Sequence, residues 1–217
     1  MATANNPSRE LILERIRAGL RVPAAPAGPS PALSDAFEPV QNALERFQAE
    51  AKANLMECFL TADAAASADQ LAVTLRSLPE GEIFVQDAPS LRRLIEMANP
   101  QRAIRWSSQG GPVEASQATI TLAEMLVAQT GSIFVTARCG GRGASVVAPC
   151  HIVFATTEQI VPDLHTALSN VQQQSKLKQN SFACMISGSS RTADIEKILV
   201  QGAHGPIRLV VVLQRGD

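Results

Sequence analysis

The chain has 217 residues, 46% of them apolar and 18% charged, with a formal net charge of -1 at pH 7. That balance builds a core for one globular domain with a small appendage and excludes a chain that is disordered overall. The near-neutral charge, the lack of a basic stripe, and an aromatic content of seven Phe, one Trp and no Tyr exclude a nucleic-acid footprint.

Pro7-Ser8 starts the first predicted helix, with Ser8 as N-cap and Ile12, Ile16 and Leu20 on one face. Charged residues interrupt residues 1–20, so no secretory signal is read there. No apolar run anywhere approaches the roughly 18 residues of a membrane span, and a cytoplasmic protein is expected. Val22 to Pro31 is rich in Pro and Ala and reads as a linker. The predicted division is therefore a helix and linker over 1–35 and an α/β domain over 36–217.

Val40, Leu44, Phe47 and Ala51 mark a second amphipathic helix. Cys58 to Leu60 reads as a strand, Leu71, Leu75 and Leu78 as a helix, and Ile83 to Val85 as a strand. Leu91, Leu94, Ile95 and Ala98 make a helix ended by Asn99-Pro100, and Ala103 to Trp106 follows as a strand. Ala118 to Ile120 and Ile133 to Thr136 are expected as strands around a helical turn near Leu122 to Val127. Ala148 to Ala155 is a longer strand, and Leu164, Ala167, Leu168 and Val171 form a helix. Phe182 to Ile186 and Leu209 to Leu213 close the series. Strands alternating with helices imply a largely parallel sheet, and continuous apolar strands imply cover on both faces.

Three polar segments are candidates for chemistry. In Gln129-Thr130-Gly131-Ser132, the glycine permits close backbone approach and the hydroxyls of Thr130 and Ser132 can donate; an ordinary turn is the alternative. In Arg138-Cys139-Gly140-Gly141-Arg142-Gly143, Gly141 and its neighbours can turn N–H groups toward an anion, with Arg142 adding charge. A surface loop is the alternative there, since neither a P-loop nor a dinucleotide fingerprint is present.

The third, SGSSRTADIEKILVQGAHGP at 187–206, is the richest. Ser187, Gly188, Ser189, Ser190, Arg191 and Thr192 offer donors suited to a carboxylate or phosphate, with Gly205 beside them later in the segment. Asp194, Glu196 and His204 are weak candidates for acid–base work; a solvated loop or helix start is the alternative for the carboxylates. His151 is assigned to strand packing and His165 to an exposed helix face. Cys58, Cys139, Cys150 and Cys184 lack CxxC spacing, so buried reduced thiols and no metal site are expected. Cys139, among glycines, is the one candidate for reactivity. No hydrolase or metalloprotease motif occurs, and the residues by themselves lead to an anion-friendly pocket on an α/β sheet.

Residues 187–206 resemble the closing signature of the LUD family, the lactate-utilisation C-type proteins, which reads SGPSRTADIE, a short apolar spacer and GxHGP. QTGSIFV at 129–135 resembles its ETGT segment, GGRGASVVAPCHIVF at 140–154 its Gly/Arg loop and following strand, and the Arg9 to Leu20 helix its opening. The resemblance implies a NagB/RpiA/CoA-transferase-like α/β fold, with a mostly parallel twisted sheet and helices on both faces. It implies a non-redox subunit or accessory protein of an L-lactate-oxidising system, with iron–sulfur clusters in two partner proteins and no cofactor in this chain. A small carboxylate or phosphate-bearing ligand would sit at the strand-end loops.

Two positions depart from the family pattern. Ser189 replaces Pro, and Gln129 replaces a Glu. In CoA-transferases of this fold class a Glu near a comparable turn is the nucleophile, a role Gln129 cannot fill. The competing expectations are a free-standing enzyme on a CoA, folate or sugar-phosphate substrate, and a structural adaptor without ligand.

Overall fold

A computed structural model describes residues 7–21, 39–174, 176–193, 199–201 and 205–216, with backbone alone at 7, 176–177, 191–193 and 199–201. The chain divides into two compact units, Met1–Glu38 and Pro39–Asp217. The first contains helix α1, Pro7–Arg21. Pro7 itself opens that helix, so Ser8 sits inside the first turn instead of capping it; the fixed φ of proline and its missing N–H suit the first helical position.

The second unit begins with α2 (Ala43–Ala53), β1 (Glu57–Thr61), α3 (Ala64–Arg76), β2 (Ile83–Val85), α4 (Pro89–Ala98) and β3 (Ile104–Trp106). It continues through β4 (Ala118–Leu122), β5 (Met125–Val127), β6 (Ser132–Thr136), β7 (Cys150–Thr156), β8 (Ile160–Val161), α5 (Leu164–Gln173) and the single turn α6 (Lys176–Gln179). It ends with β9 (Ala183–Ile186), β10 (Arg191–Ala193), β11 (Leu199–Gln201) and β12 (Arg208–Gln214). Local chemistry sets several ends. The Asp63 carboxylate accepts from Ala66 N–H at 2.8 Å and caps α3. Asp163 does the same for α5, accepting from Thr166 N–H at 2.7 Å. Asn99 stops α4 in the left-handed region at φ +42°, immediately before Pro100.

The main sheet has six strands in the order β1-β12-β7-β4-β2-β3, every pair parallel. The last strand of the chain thus lies inside the sheet, between β1 and β7. Leu209 to Leu213 are at most 2% exposed, which is why this run is apolar without alternation. Each such side chain contributes on the order of 2 kcal/mol of gross apolar burial. One face packs Ile83, Val85, Ile120, Ile152 and Val210 against α3 and α4. On the other, Val153, Val211 and Leu213 pack against Phe47 and Ala51 of α2 and against Leu126, Ile133 and Val135.

Those last residues belong to a second sheet, ordered β8-β5-β6-β9, in which β6 pairs antiparallel with both β5 and β9. Here the structure departs from the expected helical turn: Met125–Val127 is a strand. Three consecutive buried residues serve a strand or a helical turn equally well, and pairing with Ser132–Phe134 decided it. The outer side of this sheet, through Met125, Val127 and Phe134, is closed by Ala167 and Val171 of α5. Among the described residues no helix is long and apolar enough to cross a membrane.

The four cysteines are unbridged. Cys139, the one candidate for reactivity, is buried at 5% exposure like the core around it, and Thr136 N–H donates to its sulfur at 3.5 Å. Burial pushes the Cys58 and Cys150 thiols up to about 11. Alkylation of both at pH 8 is expected to be slow in the native protein and fast in urea, read by peptide mass mapping. Rapid native labelling of Cys150 would contradict its placement in the core.

Candidate functional site

β6 and β9 bring two of the sequence-selected segments together. Their antiparallel register pairs Ile133 with Ile186, so Ser132 and Ser187 meet at one end. Their hydroxyls share a hydrogen bond of 2.6 Å, and Ser132 shares another of 2.7 Å with Thr130. Ser132 is buried and Ser187 exposed, so the chain of hydroxyls runs from the interior to the surface.

The turn that carries Thr130 is held by its own chain. Gly131 adopts φ +59°, and a Cβ there would lie 2.8 Å from the Ala51 nitrogen and the Glu50 carbonyl carbon at the end of α2. Close approach of α2, visible in no local pattern, therefore requires this glycine. Asn54 donates its amide to the Thr130 carbonyl at 2.9 Å. Gln129, which stands where the family pattern has Glu, accepts from Leu164 N–H at 3.2 Å at the start of α5. Its amide oxygen serves a helix N-terminus there.

The signature continues from Ser187 through Gly188, whose φ of +108° turns the chain. Ser190 N–H donates to the Pro206 carbonyl at 2.9 Å, and a Cβ on Gly205 would lie 3.1 Å from that of Ser190. The two ends of the signature are thus clasped together. Between them β10 and β11 form an antiparallel pair, with Arg191 opposite Gln201. Asp194, Glu196 and His204 lie outside the described residues, as do the side chains of Arg191 and Thr192. Ser189 is 7% exposed, and among the described residues its hydroxyl has no hydrogen-bond partner.

Gly141 and Arg142 start from the opposite end of β6. Gly141 N–H donates to the Ala137 carbonyl at 2.9 Å, just beyond Thr136. Ser132 lies roughly 13 Å away along the strand. Arg142 is exposed, and Gly141 has open space around it. The later part of this loop does return to the signature, since the Val146 carbonyl lies 3.7 Å from a Cβ placed on Gly205.

Sequence reasoning assigned His151 to core or strand-end packing, and the structure places it there. It lies fully buried in β7 with Nε2 2.8 Å from the Thr121 hydroxyl, while Nδ1 has no partner among the described residues. Desolvation pushes its pKa down to about 4, so the ring is neutral at physiological pH. A histidine inside an otherwise apolar strand was the signal that pointed to it. Among the described residues no group of three His, Cys, Asp or Glu converges to hold a metal.

Residues 113–214 match the LUD domain. Lactate utilization protein C 1 of Bacillus mycoides is 35% identical over 103 residues, covering 46% of this chain and 44% of that protein. Lactate utilization protein C of Bacillus velezensis is 25% identical over 74% of this chain and 73% of its own. The uncharacterized protein YkgG of Escherichia coli K12 is 26% identical over 73% of each. The chain spans about half the length of the first of these relatives. A crystal structure of a DUF162 family protein from Deinococcus radiodurans superposes with a TM-score of 0.61 at 19% identity, covering 79% of this chain and 96% of that one, which establishes the shared fold.

Proposed function

Taking as premise that the chain belongs to the LUD family, in its lactate utilization protein C-like branch, we propose that it serves lactate utilization as an accessory subunit that binds a small carboxylate at the Ser187–Thr192 loop. The names of the relatives support the pathway. The observation that carries the site is the chain of hydroxyls from Thr130 through Ser132 to Ser187, which joins two segments 55 residues apart beside the clasped signature. Serine hydroxyls, a turn at Gly188 and a neighbouring arginine suit a carboxylate, because a planar guanidinium and O–H donors match its two oxygens. The iron–sulfur partners of this proposal rest on the family resemblance.

Calorimetry with L-lactate and pyruvate tests the binding. The wild-type chain is expected to bind at least one, and Arg191→Ala to weaken that by about tenfold or more, a charge-assisted contact being removed. A wild-type chain that binds neither at millimolar concentration would sink the ligand reading. In a deletion strain, growth on L-lactate is expected to return with the wild-type gene and not with Arg191→Ala.

A structural adaptor is the second reading, and two observations favour it. Gly131 is required by α2, and Gln129 by α5, so the turn at 129–132 is engaged by its own chain. That reading predicts a wild-type chain without carboxylate affinity whose Arg191→Ala variant still restores growth.

A further inference from the structure

Phe84, Thr119, His151 and Leu209 stand side by side in register across β2, β4, β7 and β12, all buried and on the face opposite the α3–α4 layer. The Gly/Arg loop reaches one end of this row: a Cβ on Gly140 would lie 3.4 Å from the Phe84 ring. The signature reaches the same strands from their N-terminal ends. The Pro149 carbonyl accepts from Ile207 and Arg208 N–H at 2.9 and 3.1 Å, two residues before the His151–Leu209 pair. Ser190, bonded to Pro206, holds Ser189 at this end. Two buried polar atoms without partners among the described residues, His151 Nδ1 and Ser189 Oγ, thus lie on segments tied to the same strand ends. A buried polar atom left unpaired is costly, so the two call for partners that the described residues do not supply.

We propose that His151 Nδ1 and Ser189 Oγ form the inner wall of the carboxylate site and hold the C2 oxygen of a small 2-hydroxy or 2-oxo acid. This rests on the reading of the Ser187–Thr192 loop given above, which supplies the contacts to the carboxylate. The division of labour follows from charge. A neutral, desolvated imidazole accommodates an uncharged oxygen and not a carboxylate, which needs the arginine and hydroxyls of the loop.

The Thr121–His151 pair also suits both oxidation levels. When the Thr121 hydroxyl donates to Nε2, the ring proton sits on Nδ1 and donates to a carbonyl oxygen. When Nε2–H donates to Thr121, Nδ1 accepts from a hydroxyl. Ser189 Oγ can likewise donate or accept. The site thus takes a 2-hydroxy acid and its 2-oxo counterpart without rearranging side chains.

The full chain, labelled with 15N, is titrated with L-lactate and with pyruvate while the histidine ring nitrogens are followed by NMR, exposed His165 serving as control. Both acids are expected to move the His151 ring nitrogens, with the proton on Nδ1 for pyruvate and on Nε2 for lactate. Ser189→Ala removes a hydroxyl that has no partner among the described residues, so its melting temperature is expected to hold. Its affinity for both acids is expected to fall by about fivefold to tenfold. If Arg191→Ala weakens binding while the His151 ring stays unmoved and Ser189→Ala binds as the wild type does, a trapped water is the partner and this inference falls, with the loop reading intact. A wild-type chain that binds neither acid overturns both.

Discussion

Gly131→Ala is expected to destabilise the protein by about 3 kcal/mol, most of it from steric conflict. The new Cβ would meet the Ala51 nitrogen and the Glu50 carbonyl carbon at 2.8 Å, and both are backbone atoms in the last turn of α2. Backbone cannot swing aside as a side-chain end can, so α2 must shift, and with it Phe47 and Ala51, which are completely buried. The left-handed φ of +59° adds about 1 kcal/mol for any residue with a Cβ. Gly141→Ala is the matched control. It sits at φ +94° with nothing within 4 Å of the added carbon, so backbone strain alone is expected, about 1–2 kcal/mol. Urea unfolding of the two variants compares them. A smaller loss at 131 than at 141 would refute the packing role. The result also bears on function, because a glycine required by α2 needs no ligand to account for it.

Acid is expected to weaken the fold through His151 well before the carboxylates of a typical protein titrate. Burial is the cause of its depressed pKa, with no charged group contributing. In the sheet it is paired with Thr119 and Leu209 and bonded to Thr121, all uncharged. Its pKa is about 4 in the native chain against an ordinary 6.5 when unfolded. The unfolded chain therefore takes up the proton first. The stability due to the neutral ring is complete above about pH 6.5 and falls as the pH drops toward 4, by about 3 kcal/mol in all and about 2 kcal/mol by pH 5. His151→Gln keeps a polar group near Thr121 and cannot titrate. The difference between wild-type and variant unfolding free energies, measured from pH 7.5 to 4.5, isolates the histidine from other groups. Parallel curves would show that the ring is not desolvated as the fold requires.

Much of the architecture was legible because the relevant forces are local. The apolar run Leu209 to Leu213 reads as a doubly covered strand, and it is one. The spacing of Leu91, Leu94 and Ile95, followed by Asn99-Pro100, predicts α4 and its end. A parallel sheet follows from the alternation of strands and helices, and the six-stranded sheet is parallel throughout. The stretch from Leu122 to Val127 was not legible, since a short apolar run carries no period long enough to separate strand from helix. The position of β12 inside the sheet was equally hidden, because nothing along the chain states which strands become neighbours.

The candidate site divides along the same line. By itself the sequence determined which residues could bind an anion: the hydroxyls and glycine of 187–190, the arginine after them and the separate Thr130–Ser132 turn. Tertiary structure decided which of them meet. The antiparallel register of β6 and β9 joins Ser132 to Ser187, while the length of β6 holds Gly141 and Arg142 at its other end. It also decided that Gly131 serves α2 and that His151 pairs with Thr121, with no partner for Nδ1 among the described residues. The physical reason is common to all four. Donor capacity and backbone freedom are properties of single residues, whereas contact and burial arise only when strands distant in sequence find their register.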